Sequence, residues 1–225
     1  MQQDADLFAI LTRVTTDSIA GVLLKMGLRN QWVRGPMPLK LETPRTVGRA
    51  FTMRFIPVRE DVPGAVPKKM PVNRDAVEAM PPGCIAVADA RGMTAAATFG
   101  DIVVMRMQKR GVAGIVTDGA VRDRNGLMTI GLPIWTVGIT APPPATQLML
   151  VEWQAPIGCG GVAVFPDDII VADADGVIVV PSALATEIAA AGLEQERLDE
   201  WQMDQIKRGV SLPALAPMPK DSSRS

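Results

Sequence analysis

The 225-residue chain contains no histidine and no tyrosine, and it has only two cysteines, Cys84 and Cys159. Without histidine there is no Ser-His-Asp or Cys-His triad, no His-ligated zinc and no phosphohistidine chemistry. Two cysteines are too few for a disulfide scaffold or a Cys-only zinc site, so both are expected as reduced, packed thiols. A charge excess is missing too. The net charge of −1 leaves no electrostatic footprint for nucleic acid or an anionic membrane. No apolar run reaches the roughly 18 residues that span a bilayer. The acidic start Met1-Gln2-Gln3-Asp4 does not read as a signal peptide. The expectation is a soluble, cytoplasmic protein with neither a nucleic-acid nor a membrane partner.

What is present is ordinary globular material, 48% hydrophobic and 21% charged. Chemistry therefore falls to carboxylates, arginine, lysine, hydroxyls, backbone amides or a bound metal. No lysine follows an obvious core strand, which disfavours a Schiff base.

Apolar Ile19, Val22, Leu23 and Met26 recur at helical spacing behind Thr15, Thr16 and Asp17, predicting a short amphipathic helix that Gly27 ends. Residues 46–56 alternate with period two and predict a strand. The proline-rich stretch 57–72 reads as an exposed loop. The middle of the chain reads as a β-α-β unit. A strand over Cys84–Ala88 leads to a helix over Asp101–Arg110, with Ile102, Val103, Met105 and Met107 mostly inward. Strands over Ala113–Thr117 and Leu132–Val137 follow, and this alternation favours a parallel core. Val162–Phe165, Ile169–Ala172 and Val177–Val180 suggest a β-meander with an Asp-Gly turn. A long helix over Ser182–Arg208 closes the chain, its charged residues Glu194, Glu196, Asp199 and Glu200 reading as a solvated face. One domain is expected over 1–225, with a core at about 10–181 and a C-terminal helical arm at about 182–215.

A helix of about ten residues rises roughly 15 Å, and a strand of about five returns roughly 17 Å. The chain thus comes back to the edge it left, bringing Arg122 and Asp123 beside the start of the Asp101 helix. This is the carboxyl edge of a parallel sheet, where open α/β folds bind ligands. Free amides around Gly100 to Val103 suit a small carboxylate or phosphate. Arg122 offers a fork for a carboxylate or oxyanion. Asp123 suits a hard cation such as Mg²⁺, and Asp101 could orient a water or relay a proton. Spacing alone equally describes a solvated Arg122–Asp123 pair. Asp89, Asp173 and Asp175 read as structural, and Gly158–Gly161 as tight packing, since no strand-to-helix turn follows it.

Gly100-Asp101, twenty residues, then Arg122-Asp123 resembles the signature of the class II pyruvate aldolases acting on 4-hydroxy-4-methyl-2-oxoglutarate and 4-carboxy-4-hydroxy-2-oxoadipate. The run Arg110 to Asp123 and the stretch from Pro156 to Val177 fit as well, so the resemblance covers about residues 10–215. It implies a layered α/β/β/α sandwich assembled as trimers or hexamers. It also implies Mg²⁺ or Mn²⁺ on Asp123, Arg122 against the pyruvyl group and Asp101 orienting water. The amides of Ile102 and Val103 beside Gly100 would hold the carboxylate of a 2-oxo acid. A glutamate from a neighbouring subunit's C-terminal helix completes such sites. Glu196 is the best match, with Glu200 and Glu194 as alternatives. Oxaloacetate decarboxylation is the implied side activity. The same superfamily contains a non-catalytic regulator of ribonuclease activity that lacks the Asp after the Arg, so a protein-binding regulator is the alternative reading. Gly21 stands where many relatives carry Asp, a departure that bears on the substrate more than on the metal.

Overall fold

The computed structural model describes residues 2–59, 61 and 71–215. In chain order its elements are α1 (Gln2–Leu11), α2 (Thr16–Lys25), β1 (Trp32–Val33), β2 (Met37–Pro38), β3 (Thr46–Pro57), α3 (Pro71–Ala79), β4 (Ile85–Asp89) and α4 (Asp101–Lys109). They continue as β5 (Gly114–Thr117), β6 (Ala120–Val121), α5 (Arg124–Ile130), β7 (Ile134–Thr136), β8 (Gly138–Ile139), β9 (Leu148–Trp153), β10 (Ile157–Cys159), β11 (Val162–Val164), β12 (Ile169–Asp173), β13 (Gly176–Val180) and α6 (Ala185–Lys207).

Layering follows from the period of two along each strand. β3 is shared by two half-sheets. Its first residues pair antiparallel with β12, and from Ala50 onward it pairs parallel with β4 and antiparallel with β9. The strand order is β1-β13-β12-β3-β4-β5-β7-β2. On β12 and β13, Ile170, Ala172, Val177 and Val179 face Ile85, Val87, Val116 and Trp135 of the other half, filling the space between them. Ile169, Val171, Ile178 and Val180 point the other way, onto Leu11, Ile19, Leu23 and Ile188 of α1, α2 and α6. Ala86, Ala88 and Ile115 likewise point outward, onto Val77, Val104, Met107 and Leu127 of α3 to α5 and onto Met80 just after α3. The result is the expected α/β/β/α sandwich.

The parallel core is β3-β4-β5-β7. The β-meander is corrected to two separate hairpins. β10–β11 is a ladder of its own, while β12–β13 joins β3, because the hydrogen-bonding edge of β12 is filled from the other end of the chain. The inward assignment on α4 is corrected as well. Val104 and Met107 are buried, whereas Ile102 and Met105 are 84% and 41% exposed. Only one stripe of the helix meets the sheet, and Val104 and Met107, three residues apart, define it.

Most of the proline-rich stretch, residue 60 and residues 62–70, lies outside the described residues, but α3 begins inside its predicted end, at Pro71. Both cysteines are buried and free, and burial raises the Cys84 thiol to about 11. A Cβ at Gly160 would meet the Arg34 carbonyl oxygen at 2.6 Å and Val33 Cγ1 at 2.7 Å, so the glycine-rich turn is indeed a close approach. At Gly21 nothing lies within 4 Å, so a side chain at that position would meet open space. Among the described residues no single helix is long and apolar enough to cross a membrane. α1 and α2 meet at a 104° bend with their apolar faces against the sheet.

Candidate functional site

Gly100, Asp101, Arg122 and Asp123 come together, and backbone pairing brings them there. The loop after β4 runs alongside β6. Ala97 bridges Ala120, the Thr98 amide donates to the Ala120 carbonyl at 2.8 Å, and the Arg122 amide donates to the Phe99 carbonyl at 3.0 Å. Phe99 is fully buried and meets Phe55 edge to face at 6.1 Å, anchoring this loop to β3. Gly100 then caps α4 directly beside Arg122. Nothing in the helical or strand periodicity announced this pairing. The only signal was a pair of short apolar runs, Ala95-Ala96-Ala97 and Ala120-Val121.

Asp123 holds a left-handed backbone conformation (φ 62°, ψ 43°), which Asp tolerates better than most residues. It is the N-cap of α5 yet makes no capping bond to that helix. Its Oδ2 turns instead to Arg122 Nε at 3.0 Å and to the Asp101 amide at 3.4 Å. The Arg122 guanidinium is the main cause that holds the Asp123 carboxyl below its ordinary value. Slight burial opposes it, and the Asp101 amide and side chain add to it. About a third of each side chain of the pair is exposed, 34% for Arg122 and 33% for Asp123.

Two glycines make room for the carboxylates. A Cβ at Gly100 would fall 2.5 Å from Asp123 Oδ2 and 3.2 Å from Arg122 Cγ. A Cβ at Gly126 would fall 2.6 Å from Asp101 Oδ2. Gly126 is a residue that sequence reasoning missed. In the sequence it is simply a glycine inside a short helix, and only the close approach of α4 and α5 shows its purpose.

The α4 N-terminus is partly occupied by the protein's own acids. The Ile102 amide donates to Asp101 Oδ1 at 2.7 Å. Neither carboxylate accepts from the Gly100 or Val103 amide. An incoming anion would therefore find those two amides first and would gain the Ile102 amide by displacing the Asp101 oxygen.

Glu196 is not brought to this site within the chain. It lies on α6, in the opposite helical layer, where its Oε1 accepts from the Thr15 amide at 2.6 Å and from the Thr15 hydroxyl. It therefore ties α6 to the start of α2. The neighbouring Asp173 does the same for Thr16, accepting from its amide at 3.0 Å and its hydroxyl at 2.8 Å. Of the alternatives, Glu194 pairs with Arg197 at 3.5 Å, and Glu200 is exposed on the outer part of the helix.

The donor set fits a hard divalent cation. One ionised, accessible carboxylate adjoins a second at Asp101. Among the described residues no group of three His, Cys, Asp or Glu side chains could form a closed metal cage. Mg²⁺ commonly takes one or two carboxylates and keeps waters or substrate oxygens in its remaining positions, whereas structural zinc takes four protein ligands.

The structure is thus a layered α/β/β/α sandwich with a guanidinium and two carboxylates gathered at the carboxyl edge of its parallel strands. The chain belongs to the RraA-like family (Aldolase/RraA), whose profile matches residues 13–179. It is similar to a Halalkalibacterium halodurans protein named "Putative 4-hydroxy-4-methyl-2-oxoglutarate aldolase", 35% identical over 129 residues, 57% of this chain and 61% of that one. A Xanthomonas campestris pv. campestris protein of the same name is 35% identical over 108 residues, 48% of this chain and 64% of that one. The chain thus spans less than two thirds of the length of these relatives. Among solved structures it is similar to Streptomyces coelicolor RraAS2, described as an unusual member of the RNase ES inhibitor RraA protein family. The TM-score is 0.80 at 32% identity, covering 88% of this chain and 96% of that one.

Proposed function

We propose that the protein is a divalent-metal-dependent lyase that cleaves 4-hydroxy-2-oxo acids to pyruvate and also decarboxylates oxaloacetate. The observation that carries this reading is the orientation of Asp123. An acidic N-cap that leaves its own helix unserved, in a left-handed backbone, directs its charge at a guanidinium and at the end of a second helix. Unusual backbone of this kind gathers at functional sites.

Asp123, with Asp101 beside it, would hold the Mg²⁺ or Mn²⁺. Bound there, the cation supplies Lewis acidity toward the 2-oxo acid end of the substrate. Arg122 has Nε committed to Asp123, so its terminal amino groups meet the pyruvyl carboxylate and the negative charge growing on the C2 oxygen. The Gly100 and Val103 amides, aided by the α4 dipole and joined by Ile102 on displacement of Asp101 Oδ1, orient the same carboxylate. Asp101 takes the proton of the C4 hydroxyl through a water. The C3–C4 bond then breaks, its electron pair passes to the pyruvyl fragment, and C3 is reprotonated to give pyruvate and a carbonyl product. With oxaloacetate the departing fragment is CO₂, and the demands on Arg122 are the same.

Assembly as a trimer or hexamer in the cytoplasm belongs to this proposal. The exposed outer half of α6 would serve as the arm that brings a glutamate to a neighbour. Because Glu196 is held by Thr15, Glu200 becomes the better placed of the three candidates for that role. A coupled pyruvate assay over 4-hydroxy-2-oxo acids and oxaloacetate tests the reading. Turnover should require Mg²⁺ or Mn²⁺, stop with EDTA and fall at least about 100-fold in Asp123→Asn, a loss of about 2.7 kcal/mol of transition-state stabilisation. Turnover indifferent to EDTA and to Asp123→Asn would overturn the metal role. Absence of turnover together with capture of an RNA-degrading endonuclease would favour the regulator.

A further inference from the structure

Resting on the lyase reading, we infer that Asp118 is a positioning residue for the reaction. Its carboxylate fastens the loop that delivers Gly100 and Asp101, and so sets where Asp101 stands. Asp118 directly follows β5 and is 6% exposed. Its Oδ1 accepts from the Ala90 amide at 2.7 Å, where that loop begins. Its Oδ2 accepts from the Gly160 amide at 3.1 Å, at the tip of the β10–β11 hairpin. The next two residues hold the loop further along. A Cβ at Gly119 would fall 2.5 Å from Ala90 Cβ and 3.1 Å from the Met93 carbonyl oxygen. The Ala120 amide donates to that same carbonyl at 3.2 Å, and the Ala120 carbonyl accepts from the Thr98 amide.

Ala120 acts through its backbone, which any residue supplies, whereas the hold on Ala90 needs a side chain of one kind. Among the described residues no lysine or arginine pairs with Asp118, and the nearby charge, Asp89, has the same sign. Burial pushes the Asp118 carboxyl above its ordinary 3.8, against the pull of the Gly160, Ala90 and Gly92 amides. An asparagine would be easier to bury, yet it offers one acceptor atom where amides from two separate segments must be met. The end of β5 does not give way. The Gly119 carbonyl accepts from the Thr136 hydroxyl at 2.8 Å and from the Val137 amide at 3.2 Å, pinning it beside β7, so the loop is the part that shifts. All of these contacts lie within one chain.

Asp118→Asn keeps the shape and turns an amino group toward one of the two amides. The variant should fold, bind Mn²⁺ within about twofold of the parent protein and lose at least about tenfold in kcat for pyruvate release. Asp101 shifts in it, while Asp123 stays on Arg122. Asp168→Asn is the matched control. Asp168 is another buried acid held by two amides, Phe165 at 2.9 Å and Ser182 at 3.4 Å. Its carbonyl accepts from the Ala50 amide, level with Ile85 at the opposite end of β4. Asp168→Asn should lower the melting temperature and leave kcat within about twofold. Gly126→Ala presses on Asp101 directly, so Asp118→Asn combined with it should lose less in kcat than the product of the two single losses. If Asp118→Asn does not fold, Gly119→Ala, which pushes the same loop at Ala90, takes its place in these comparisons.

Four results would each make Asp118 a structural residue only, and leave the lyase reading standing. They are an unchanged kcat in the folded variant, an equal kcat loss in Asp168→Asn, Mn²⁺ affinity falling in step with kcat, and losses that multiply in the double variant. No pyruvate from the parent protein removes both.

Discussion

Oδ2 of Asp123 lies 2.5 Å from where a side chain on Gly100 would begin, so the bare backbone at Gly100 is what admits the carboxylate to the end of α4. Gly100 has φ −118°, an extended conformation open to any residue, so space rather than backbone freedom fixes its identity. Gly100→Ala should therefore fold, with a modest stability loss of about 1–3 kcal/mol from local overpacking. It should lose at least about tenfold in kcat/KM and in Mn²⁺ affinity, because Asp123 must move. Thermal unfolding and Mn²⁺ titration measure the two effects separately.

Gly126→Ala tests the second carboxylate. The added methyl would press on Asp101 Oδ2 at 2.6 Å and on Asp101 Cβ at 2.9 Å. Asp101 is proposed to move a proton, while Asp123 is the main cation ligand. The variant should thus lower kcat more than it weakens Mn²⁺ binding, and steady-state kinetics beside metal titration would show the difference.

Acid should disarm the site late. Arg122 keeps the Asp123 carboxyl below its ordinary value of 3.8, so the charged form that binds a cation persists as pH falls and is lost only below that value. Arg122→Ala removes the chief cause and should move the midpoint of Mn²⁺ loss upward. The pH dependence of Mn²⁺ binding in both proteins checks the direction.

Glu196 predicts a pH effect on stability. Burial, the largest single influence, would raise its carboxyl, but the Thr15 hydroxyl and amide, with the Ser18 hydroxyl and the Arg45 charge, hold it below 4.5. A lowered folded value means that the charged tie stabilises above about pH 4.5 and is lost as pH falls further. Glu196→Gln should lower the melting temperature at pH 7, and its gap from the parent protein should narrow below pH 4.5.

Removing the chain beyond Leu198 keeps Glu196 on Thr15 while deleting the outer half of α6. The shortened protein should fold but lose assembly and most activity, as read by light scattering and pyruvate release. Full activity with an unchanged molar mass would refute the arm.

Much of the fold was legible because long periodic segments carry their own signal. Alternation over 46–56 and the helical stripe behind Thr15 gave β3 and α2 nearly to their ends. The pieces that were missed are short or lie in loops. β1, β2, β6 and β8 have two residues each, too few to show a period. The parallel unit predicted that Arg122, Asp123 and Asp101 share one edge, and in the structure they meet there. Ile102 and Met105 were misplaced because an almost uniformly apolar run does not say which stripe will face the sheet.

The sequence by itself determined the chemistry on offer. Without histidine, and with cysteines confined to apolar or glycine-rich surroundings, carboxylates, arginine, lysine, hydroxyls, backbone amides and a bound cation remained. Strand and helix periods then ordered the layers, because a side chain's face follows from its place in a regular backbone. Tertiary structure alone decided which way Asp123 points, that Glu196 serves Thr15, and that two glycines clear space for two acids. Those outcomes depend on ångström-scale approach between segments distant along the chain, and no local pattern encodes such distances.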